Sequence, residues 1–313
     1  MAEGNNVQDI MMKKSGKAIS FLAGEFLTLS CGDRVPTFSQ FSERSEYSRG
    51  TLQNAIVSLT GMNAISLEKH GHLGTFLVQK NTDLLLKCLG LSYISGIMPL
   101  PYTKKYEGLA TGIFNMFNGT KSSISVDIAY MRGSVKRILS VENGRYDFAV
   151  TSRLSAKTAI SHNAAVEIIK DFGPQSYLSG QSVVFRDHSA VKITDGMRVG
   201  VDNSSLDHVE LTKTAIGNAK VELVQISYNQ LMKMLLENAI DAAVWNIDNI
   251  RESYRNVNYR VLACPGGDDE TSAVMVTAKD NLAIRSVIDE FLNVETVLRQ
   301  QREVVNEERY PNY

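Results

Sequence analysis

A predicted helix between Ser48 and about Leu59 carries side chains that can hydrogen-bond to nucleic-acid bases. Ser48 is a favourable N-cap, and Leu52, Ala55, Ile56 and Leu59 form one apolar stripe at helical spacing. The opposite face near the helix start carries Arg49, Gly50, Gln53 and Asn54. Arg, Gln and Asn can form paired hydrogen bonds with base edges in the major groove. This pattern predicts a recognition helix that inserts its first turns into DNA.

A hairpin pattern follows that helix. The alternating stretches Ile65–Glu68 and Thr75–Val78 flank a turn at Lys69-His70-Gly71-His72. A hairpin at this position would bring the turn to the DNA backbone or the minor groove. Metal binding by His70 and His72 is the alternative. Two histidines at i, i+2 are by themselves a weak metal-binding pattern, so an exposed turn is favoured.

Two helices are predicted before the recognition helix. The first is amphipathic, with Ala18, Phe21, Leu22, Phe26 and Leu29 on its apolar face. Gly32–Pro36 interrupts the periodicity, and Thr37 can cap a short helix over Phe38–Arg44. We therefore expect a DNA-binding domain over residues 1–80, with a small protein-binding helical domain as the alternative.

Composition is typical of a soluble globular protein with two domains. The chain has 313 residues, 43% hydrophobic and 21% charged, and a net charge of −1. Basic and acidic residues are nearly balanced in residues 1–80, so charge alone does not support DNA binding. Cys31, Cys88 and Cys264 are too few and too scattered for a disulfide framework. Glu25 interrupts the apolar run that would resemble a signal peptide, and we expect a cytoplasmic location without a membrane span.

The N-terminal motifs resemble the winged helix-turn-helix of GntR-family bacterial regulators. The matching segments are Gly32–Pro36, Ser48–Ile56 and Gly74–Leu77. The resemblance implies DNA contacts from Arg34, Arg44, Ser48, Arg49, Thr51, Gln53, His70 and Gly71, to which base chemistry adds Asn54. The wing reads Gly71-His72-Leu73-Gly74, one residue longer than in that family.

The remaining chain alternates strands and helices, which predicts an α/β domain with a mainly parallel sheet. Residues 81–92 are interpreted as a linker. Predicted strands are Tyr93–Ile97, Ser125–Tyr130, Asp147–Thr151, Ser182–Phe185, Arg198–Val201, Val221–Ile226, Ala242–Trp245, Arg260–Ala263 and Ser272–Val276. Predicted helices are 103–117, 134–143, 161–171, 206–217, 228–238, 248–254 and 282–308.

An internal repeat predicts two lobes. Ser125–Ser152 and Val221–Asn246 both follow a strand–helix–strand order and end in Asp-Phe-Ala-Val and Asp-Ala-Ala-Val. We place lobe one at about 93–185 and 265–313 and lobe two at about 186–264. Two crossover segments would then act as a hinge around a ligand.

This half resembles type II periplasmic-binding-protein folds, including the effector domains of LysR-type regulators. With the N-terminal match, the chain is similar to the YhfZ group of bacterial regulators over nearly its full length. The resemblance implies an α/β protein in which a winged helix-turn-helix precedes a two-lobed effector domain. It does not identify the effector.

In such a fold a ligand binds beyond the carboxyl ends of the strands, near helix N-termini. Helix starts and arginines favour a carboxylate or phosphate. The positions that meet these conditions are Pro99, Tyr102, Arg132, Ser134, Thr151, Ser152, Arg153, Asp202, Ser204, Ser205, Trp245 and Asn246. The alternatives are a simple helix cap at Asp202–Ser205, a core role for Trp245, and surface positions for Arg132 and Arg153.

No nucleotide-binding, nucleophile-elbow or zinc-protease motif occurs in the sequence. We therefore expect a regulator that binds DNA as a homodimer and responds to a small polar, anionic metabolite, without a cofactor or metal. A cytoplasmic solute-binding protein or an enzyme on the same two-lobed fold is the alternative.

Overall fold

The computed structural model describes residues 14–119, 124–263 and 267–313. Its contacts divide the chain into two compact units. The first unit runs to Tyr93 and also takes in Asn281–Phe291, and the second contains most of the remaining chain.

The first unit begins with helices α1 (Lys14–Thr28), α2 (Phe38–Glu43) and α3 (Arg49–Gly61). Strands β1 (Ile65–Lys69) and β2 (Thr75–Lys80) form an antiparallel hairpin around a 3-10 turn at Gly71–Leu73. A single bridge from Arg34 to Phe76 extends the hairpin by one short pairing. Helix α4 (Thr82–Cys88) follows.

Local sequence explains where α2 and α3 begin. Thr37 and Gln40 form a reciprocal capping box at the start of α2, and the Ser48 hydroxyl accepts the Thr51 N–H at the start of α3. The stripe Leu52, Ala55 and Leu59 is buried. The predicted cap and the predicted apolar face of the recognition helix are both present.

The segment interpreted as a linker contains α4 and belongs to the first unit. Asn81 caps this helix by accepting the Leu84 N–H, and Leu85 and Leu86 are fully buried. Helix α4 packs on α1. The apolar run therefore stays inside a core because three consecutive leucines would be costly in a solvated connector.

The second unit contains strands β3–β12 and most of the remaining helices. In chain order they are β3 (Tyr93–Met98), α5 (Lys104–Asn118), β4 (Ser125–Tyr130), α6 (Ser134–Glu142), β5 (Phe148–Ser152), α7 (Arg153–Ser161), β6 (Val166–Gly173), β7 (Gln181–Phe185), β8 (Arg198–Val201), α8 (Leu206–Ile216), β9 (Glu222–Gln225), α9 (Tyr228–Leu236), β10 (Ala242–Asn246), α10 (Ile247–Ser253), β11 (Asn258–Val261), β12 (Ala273–Ala278), α11 (Leu282–Phe291) and α12 (Val294–Val305), of which α11 belongs to the first unit.

Two five-stranded sheets form among the described residues, one in each lobe. Lobe one has the order β4-β3-β5-β12-β6, and lobe two has β11-β7-β10-β8-β9. Neighbours β3/β5, β8/β9 and β8/β10 are parallel, whereas β12 and β7 run antiparallel to the strands beside them. The expectation of a mainly parallel sheet was wrong because the strands that cross between lobes enter each sheet in the opposite direction.

Three predicted elements differ in the structure. The helix predicted over 161–171 is wrong: Val166–Gly173 is strand β6, paired with β12, and the helix is the preceding α7. Strand β7 belongs to the sheet of lobe two, although its residues were assigned to lobe one. The helix predicted over 282–308 is two helices, since Asn293 caps a new helix by accepting the Thr296 N–H.

The internal repeat extends to individual hydrogen bonds. Asp147 precedes β5 and accepts the Ser95 N–H at 2.7 Å, while Asp241 precedes β10 and accepts the Arg198 N–H at 2.9 Å. Each aspartate therefore ties the start of its strand to the parallel neighbour. This shared role explains why Asp opens the same short motif in both halves.

Helix α11 joins the core of the first unit by packing on α1 and α4. In the chain it lies between β12 and α12, and α12 packs along α5 in the second unit. Ile284, Val287 and Ile288 provide its buried face. A segment late in the sequence therefore completes the N-terminal core.

Candidate functional site

A cavity of about 220 Å³ lies in the second unit, lined by residues of both lobes. Lobe one contributes the starts of α5 and α6 and the approach to β7. Lobe two contributes the starts of α8, α9 and α10. The lining residues are Pro99, Leu100, Tyr102, Thr103, Tyr106, Arg132, Gly133, Ser134, Arg137, Tyr177, Leu178, Gln181, Asp202, Ser205, Asp207, His208, Tyr228, Asn229, Trp245, Asn246, Asn249 and Tyr254.

Helix N-termini converge on this cavity. The N-cap residues of α5, α6 and α8, which are Thr103, Gly133 and Ser205, all line it. Thr103 and Ser205 accept first-turn N–H groups, whereas Gly133 has no side chain to do so. The exposed partial positive charge of the helix ends favours an anion.

Gly133 is required by the approach of the two lobes. Its φ is +85°, and a Cβ at this position would lie 2.7 Å from the Ser204 carbonyl oxygen of lobe two. The Ser134 hydroxyl accepts the Leu206 N–H at 3.2 Å across the same contact. The backbones of the lobes therefore meet here without room for a side chain.

Arg137 projects from α6 to the cavity and is 3% exposed. Its guanidinium donates to the carbonyl oxygens of Val150 and Met131 at 3.1 and 3.0 Å and to the Tyr177 hydroxyl at 3.1 Å. None of the carboxylates in the described residues forms an ion pair with it. A buried positive charge held by neutral oxygens is an unusual arrangement, because a lone buried charge is costly.

Asp202 is a second buried charge, and its carboxylate is fully engaged. It accepts the Ser204 N–H and hydroxyl at 2.9 and 2.6 Å and the Tyr228 N–H at 2.7 Å, and the Arg132 guanidinium lies 3.7 Å away. Burial alone raises the pKa of Asp202, but these hydrogen bonds and Arg132 outweigh it and lower the pKa below its usual value. Asp202 and Arg132 therefore compensate each other.

Asp207 links the two lobes. It lies on α8 of lobe two and accepts hydrogen bonds from Ser152 and from Ser155, the latter at 2.6 Å, both in lobe one. Burial raises the pKa of Asp207, and the two hydroxyls and the charge of Arg137 offset part of this rise. The lobes are thus joined by a carboxylate that is costly to ionise.

The neighbouring His208 is buried and neutral. Burial lowers its pKa, its Nδ1 accepts the Asp202 N–H at 3.1 Å, and its Nε2 lies 3.1 Å from the Val244 carbonyl. These partners assign the proton to Nε2. The imidazole therefore braces α8 against β10.

One wall of the cavity is aromatic. Tyr228 and Trp245 stack with ring centroids 4.3 Å apart and an interplanar angle of 8°. Tyr102 and His208 approach Tyr228, and Tyr254 approaches Trp245, at 5.5 to 6.4 Å. Because the rings pack against one another, they form a rigid wall.

Two polar atoms at the cavity have no hydrogen-bond partner within the described part of the chain: the Tyr102 hydroxyl and Gln181 Oε1. Gln181 is 8% exposed. Buried polar atoms are nearly always satisfied by protein, water or ligand atoms, so these two atoms require partners among the contents of the cavity.

Eight of the twelve predicted ligand residues line the cavity: Pro99, Tyr102, Arg132, Ser134, Asp202, Ser205, Trp245 and Asn246. Thr151, Ser152, Arg153 and Ser204 do not. Arg153 forms a double hydrogen bond with Asp171 at 2.8 and 2.7 Å and also contacts Asp269. Ser152 bonds to Asp207, Ser204 bonds to Asp202, and Thr151 is buried away from the cavity.

The sequence interpretation missed Arg137, Tyr177, Gln181, Asp207 and Tyr228. Arg137 lies one helical turn after Ser134, so the spacing places it on the face of α6 that Ser134 occupies. That signal was present in the sequence. Gln181 and Asp207 line the cavity only because of the lobe that their strand and helix join, which spacing along the chain does not show.

In the first unit, the predicted recognition face of α3 is exposed. Arg49, Gln53 and Asn54 are all exposed, with Arg49 lying over the Phe38 ring at 5.9 Å. Ser48 and Thr51 bond to each other through their hydroxyls at 2.9 Å at the helix start. The three side chains that were predicted to contact bases therefore lie on one open surface.

The other predicted DNA contacts lie around that face and in the wing. Arg44 pairs with Glu25 at 3.2 Å, and the Arg34 guanidinium packs so closely on Gly74 that a Cβ there would lie 2.7 Å from its Nε. His70 contacts the edge of the Phe76 ring, and its Nε2 lies 3.6 Å from Glu68. Gly71, at φ +56°, begins the 3-10 turn that accommodates the additional wing residue.

None of the helices among the described residues is long and apolar enough to cross a membrane. The same residues contain no group of three or more metal-ligating side chains placed to hold an ion.

Comparison with known proteins agrees with this architecture. Residues 81–313 match the YhfZ C-terminal domain, and residues 30–77 match a helix-turn-helix domain. This chain belongs to the YhfZ family. It is 31% identical over 307 residues to YhfZ of Escherichia coli (strain K12), covering 96% of this chain and 98% of that protein.

Two solved structures are similar to this chain in fold. The crystal structure of YhfZ from Shigella flexneri is 30% identical with a TM-score of 0.62, covering 74% of this chain and 98% of that one. The periplasmic aliphatic sulphonate binding protein SsuA from Escherichia coli is 13% identical with a TM-score of 0.50, covering 69% and 78%. The second likeness shows a periplasmic-binding-protein-like fold.

Proposed function

We propose that this chain is a sequence-specific DNA-binding transcriptional regulator whose DNA binding is controlled by a small anionic metabolite in the cavity. The observation that carries the proposal is the combination in one chain of a helix-turn-helix domain and a solute-binding-like fold with a cavity lined by both aromatic and charged side chains. Neither half alone supports regulation by an effector.

The exposed face of α3 is proposed to enter the major groove. Arg49, Gln53 and Asn54 then contact base edges, as in the GntR-like arrangement predicted from sequence. Around them, backbone contacts are proposed for Arg34, Arg44, Ser48, Thr51, His70 and Gly71. The exposure of the three base-reading side chains supports this orientation.

A homodimer in the cytoplasm is proposed as the active form. Helix-turn-helix modules commonly bind two half-sites that are one helical turn apart, and a dimer supplies the matching symmetry. DNA binding requires access to the chromosome, so the proposed location follows from the proposed function.

The connectivity of the chain offers a route for the effector signal. Helix α11 belongs to the core of the first unit, yet it is joined to β12 and α12 of the second unit by residues 279–281 and 292–293. Short connections transmit displacement because they have little slack. Ligand-dependent movement of β12 is therefore proposed to act on the DNA-binding core through α11.

Selection of bound sequences from a random DNA pool tests the proposal, because the pool contains every short operator sequence. The full chain should enrich a two-fold symmetric site, and Arg49→Ala/Gln53→Ala should lose that enrichment. Enrichment of no sequence, with and without a metabolite extract, would leave a solute-binding protein or an enzyme as the function of the second unit.

A further inference from the structure

Among the charged groups that line the cavity, Arg137 is the one cation with no ion-pair partner in the described residues, although the buried Asp207 carboxyl interacts with its charge. Asp202 and Arg132 lie 3.7 Å apart and compensate each other. The Arg137 guanidinium instead donates to two carbonyls and a phenol, as described above. A single negative charge in the cavity would give the Arg137 guanidinium an ion-pair partner.

The position of Arg137 agrees with this requirement. It lies in the first turn of α6, whose N-cap Gly133 supplies no side-chain acceptor. The helix end and the guanidinium therefore act on the same part of the cavity, and both favour an oxyanion. The geometry fixes the guanidinium in advance because three hydrogen bonds hold it.

The unpaired atoms add a second requirement. Gln181 Oε1 is an acceptor and needs a donor from the ligand, and the Tyr102 hydroxyl can donate or accept. If the Gln181 amide is reversed, its NH₂ group needs an acceptor of the ligand instead. With Oε1 facing the cavity, the ligand must offer a hydrogen-bond donor in addition to its oxyanion, because an oxyanion only accepts.

The charge and the volume of the cavity restrict the chemical class of the ligand further. A carboxylate monoanion matches the single charge of Arg137, whereas a dianionic phosphate would exceed it and would also lie near the Asp207 carboxyl. A cavity volume of about 220 Å³ lies below the range usual for drug-sized ligands, which favours a small ligand. The aromatic residues that line the cavity offer apolar surface to a short carbon chain.

We propose that the cavity binds a small hydroxylated carboxylate monoanion, with Arg137 bonded to the carboxylate and Gln181 and Tyr102 bonded to its hydroxyl groups. This proposal rests on the proposed function of the cavity as an effector site. Tyr177 is a positioning residue, since its hydroxyl orients the Arg137 guanidinium.

Thermal-shift titration of the full chain with two matched sets of compounds tests the class. The three-carbon set is glycerate, propionate, glycerol and glycerol 3-phosphate, and the six-carbon set is gluconate, glucose and glucose 6-phosphate. We expect the hydroxylated acid to stabilise the chain most within at least one set. Greater stabilisation by the phosphate or the neutral polyol, or stabilisation by no compound, overturns the proposal.

Three variants locate the binding group. Arg137→Gln should weaken binding of the hydroxylated acid at least about 30-fold, as expected when one partner of a buried charge pair is removed. Arg132→Gln should weaken it less, because its charge is engaged by Asp202. Arg153→Gln is the matched control outside the cavity and should leave affinity unchanged.

Gln181→Leu keeps the proposal testable if Arg137→Gln does not fold. Its Oε1 has no partner in the described structure, so folding does not depend on that atom. We expect Gln181→Leu to reduce the preference of the parent chain for glycerate over propionate, since only Tyr102 then remains to bond to the hydroxyl groups. An unchanged preference overturns the assignment of Gln181. Sequence selection on DNA is a separate readout, so the ligand class can fail while the regulator proposal stands.

Discussion

The exposed face of α3 and the lining of the cavity present their polar groups in opposite ways. On α3, Arg49, Gln53 and Asn54 project into solvent from a helix whose other face is buried. In the cavity, Asp202, Asp207 and Arg137 are buried and held by hydrogen bonds. A surface that binds a large partner needs only the right side chains in the right order, whereas an enclosed site also needs every other polar group satisfied.

Paired glycine substitutions give the largest expected contrast between the two regions. Gly133→Val should lower the free energy of unfolding of the second unit by about 3 kcal/mol, because φ is positive and the new side chain meets the Ser204 carbonyl. It should also abolish stabilisation by the hydroxylated acid.

Gly50→Ala in α3 is the control, since nothing lies within 4 Å of its Cβ. It should raise stability by roughly 0.5–1 kcal/mol. Equal effects in chemical denaturation would contradict the close approach of the lobes.

Substitution of the recognition face should change DNA binding without changing stability. Arg49→Ala should cost about 1–3 kcal/mol of discrimination at one base pair of the selected site. Its exposed position should leave the free energy of unfolding within about 0.5 kcal/mol of the parent value. Competition binding with single-base variants of the site measures the first quantity. A uniform loss across all variants would show that Arg49 contacts phosphate instead of a base.

The smallest expected effect is the pH dependence contributed by Asp207. Its pKa in the folded state is raised from the usual 3.8, so the folded chain binds this proton more tightly than the unfolded chain. Stability should therefore increase as pH falls through the raised pKa toward 3.8, and decrease as pH rises through the same window. The Ser152 and Ser155 hydroxyls limit the size of this effect.

Asp207→Asn should remove this part of the pH dependence, measured as thermal unfolding of both chains across that window. Asp202 supplies the comparison because its pKa is lowered. Its contribution to the free energy of unfolding is present above the usual pKa of an aspartate and is lost as pH falls. An Asp207→Asn profile parallel to that of the parent would contradict the buried state of this carboxyl group.

The sequence predicted the first unit more completely than the second. Caps at Thr37 and Ser48 and the stripe Leu52, Ala55 and Leu59 are local signals, and all are present in the structure. In the second unit most strands were located, and the repeated aspartates Asp147 and Asp241 marked the two lobes. The strand β6 was mistaken for a helix because its pairing partner β12 lies about a hundred residues later in the chain.

For the candidate site too, local features were predicted from the sequence and contacts between distant segments were not. Helix starts after strands are local features. Ser134, Asp202, Ser205 and Asn246 were predicted in this way, and all four line the cavity. Arg153 occupies an equivalent local position but is held by Asp171 and Asp269, the second of which lies far along the chain. Spacing cannot show which arginine acquires a carboxylate partner when the chain folds.

The sequence by itself determined a helix with Arg49, Gln53 and Asn54 on its exposed face, a hairpin that follows it, and two α/β lobes. These follow from caps, periodicity and repeats, which act over a few residues. The tertiary structure decided that α4 and α11 complete the first core, that Asp207 joins the lobes, and that Arg137 faces the cavity with no ion-pair partner among the described residues. Each of these depends on contacts between distant segments, because burial and charge pairing are properties of the folded chain.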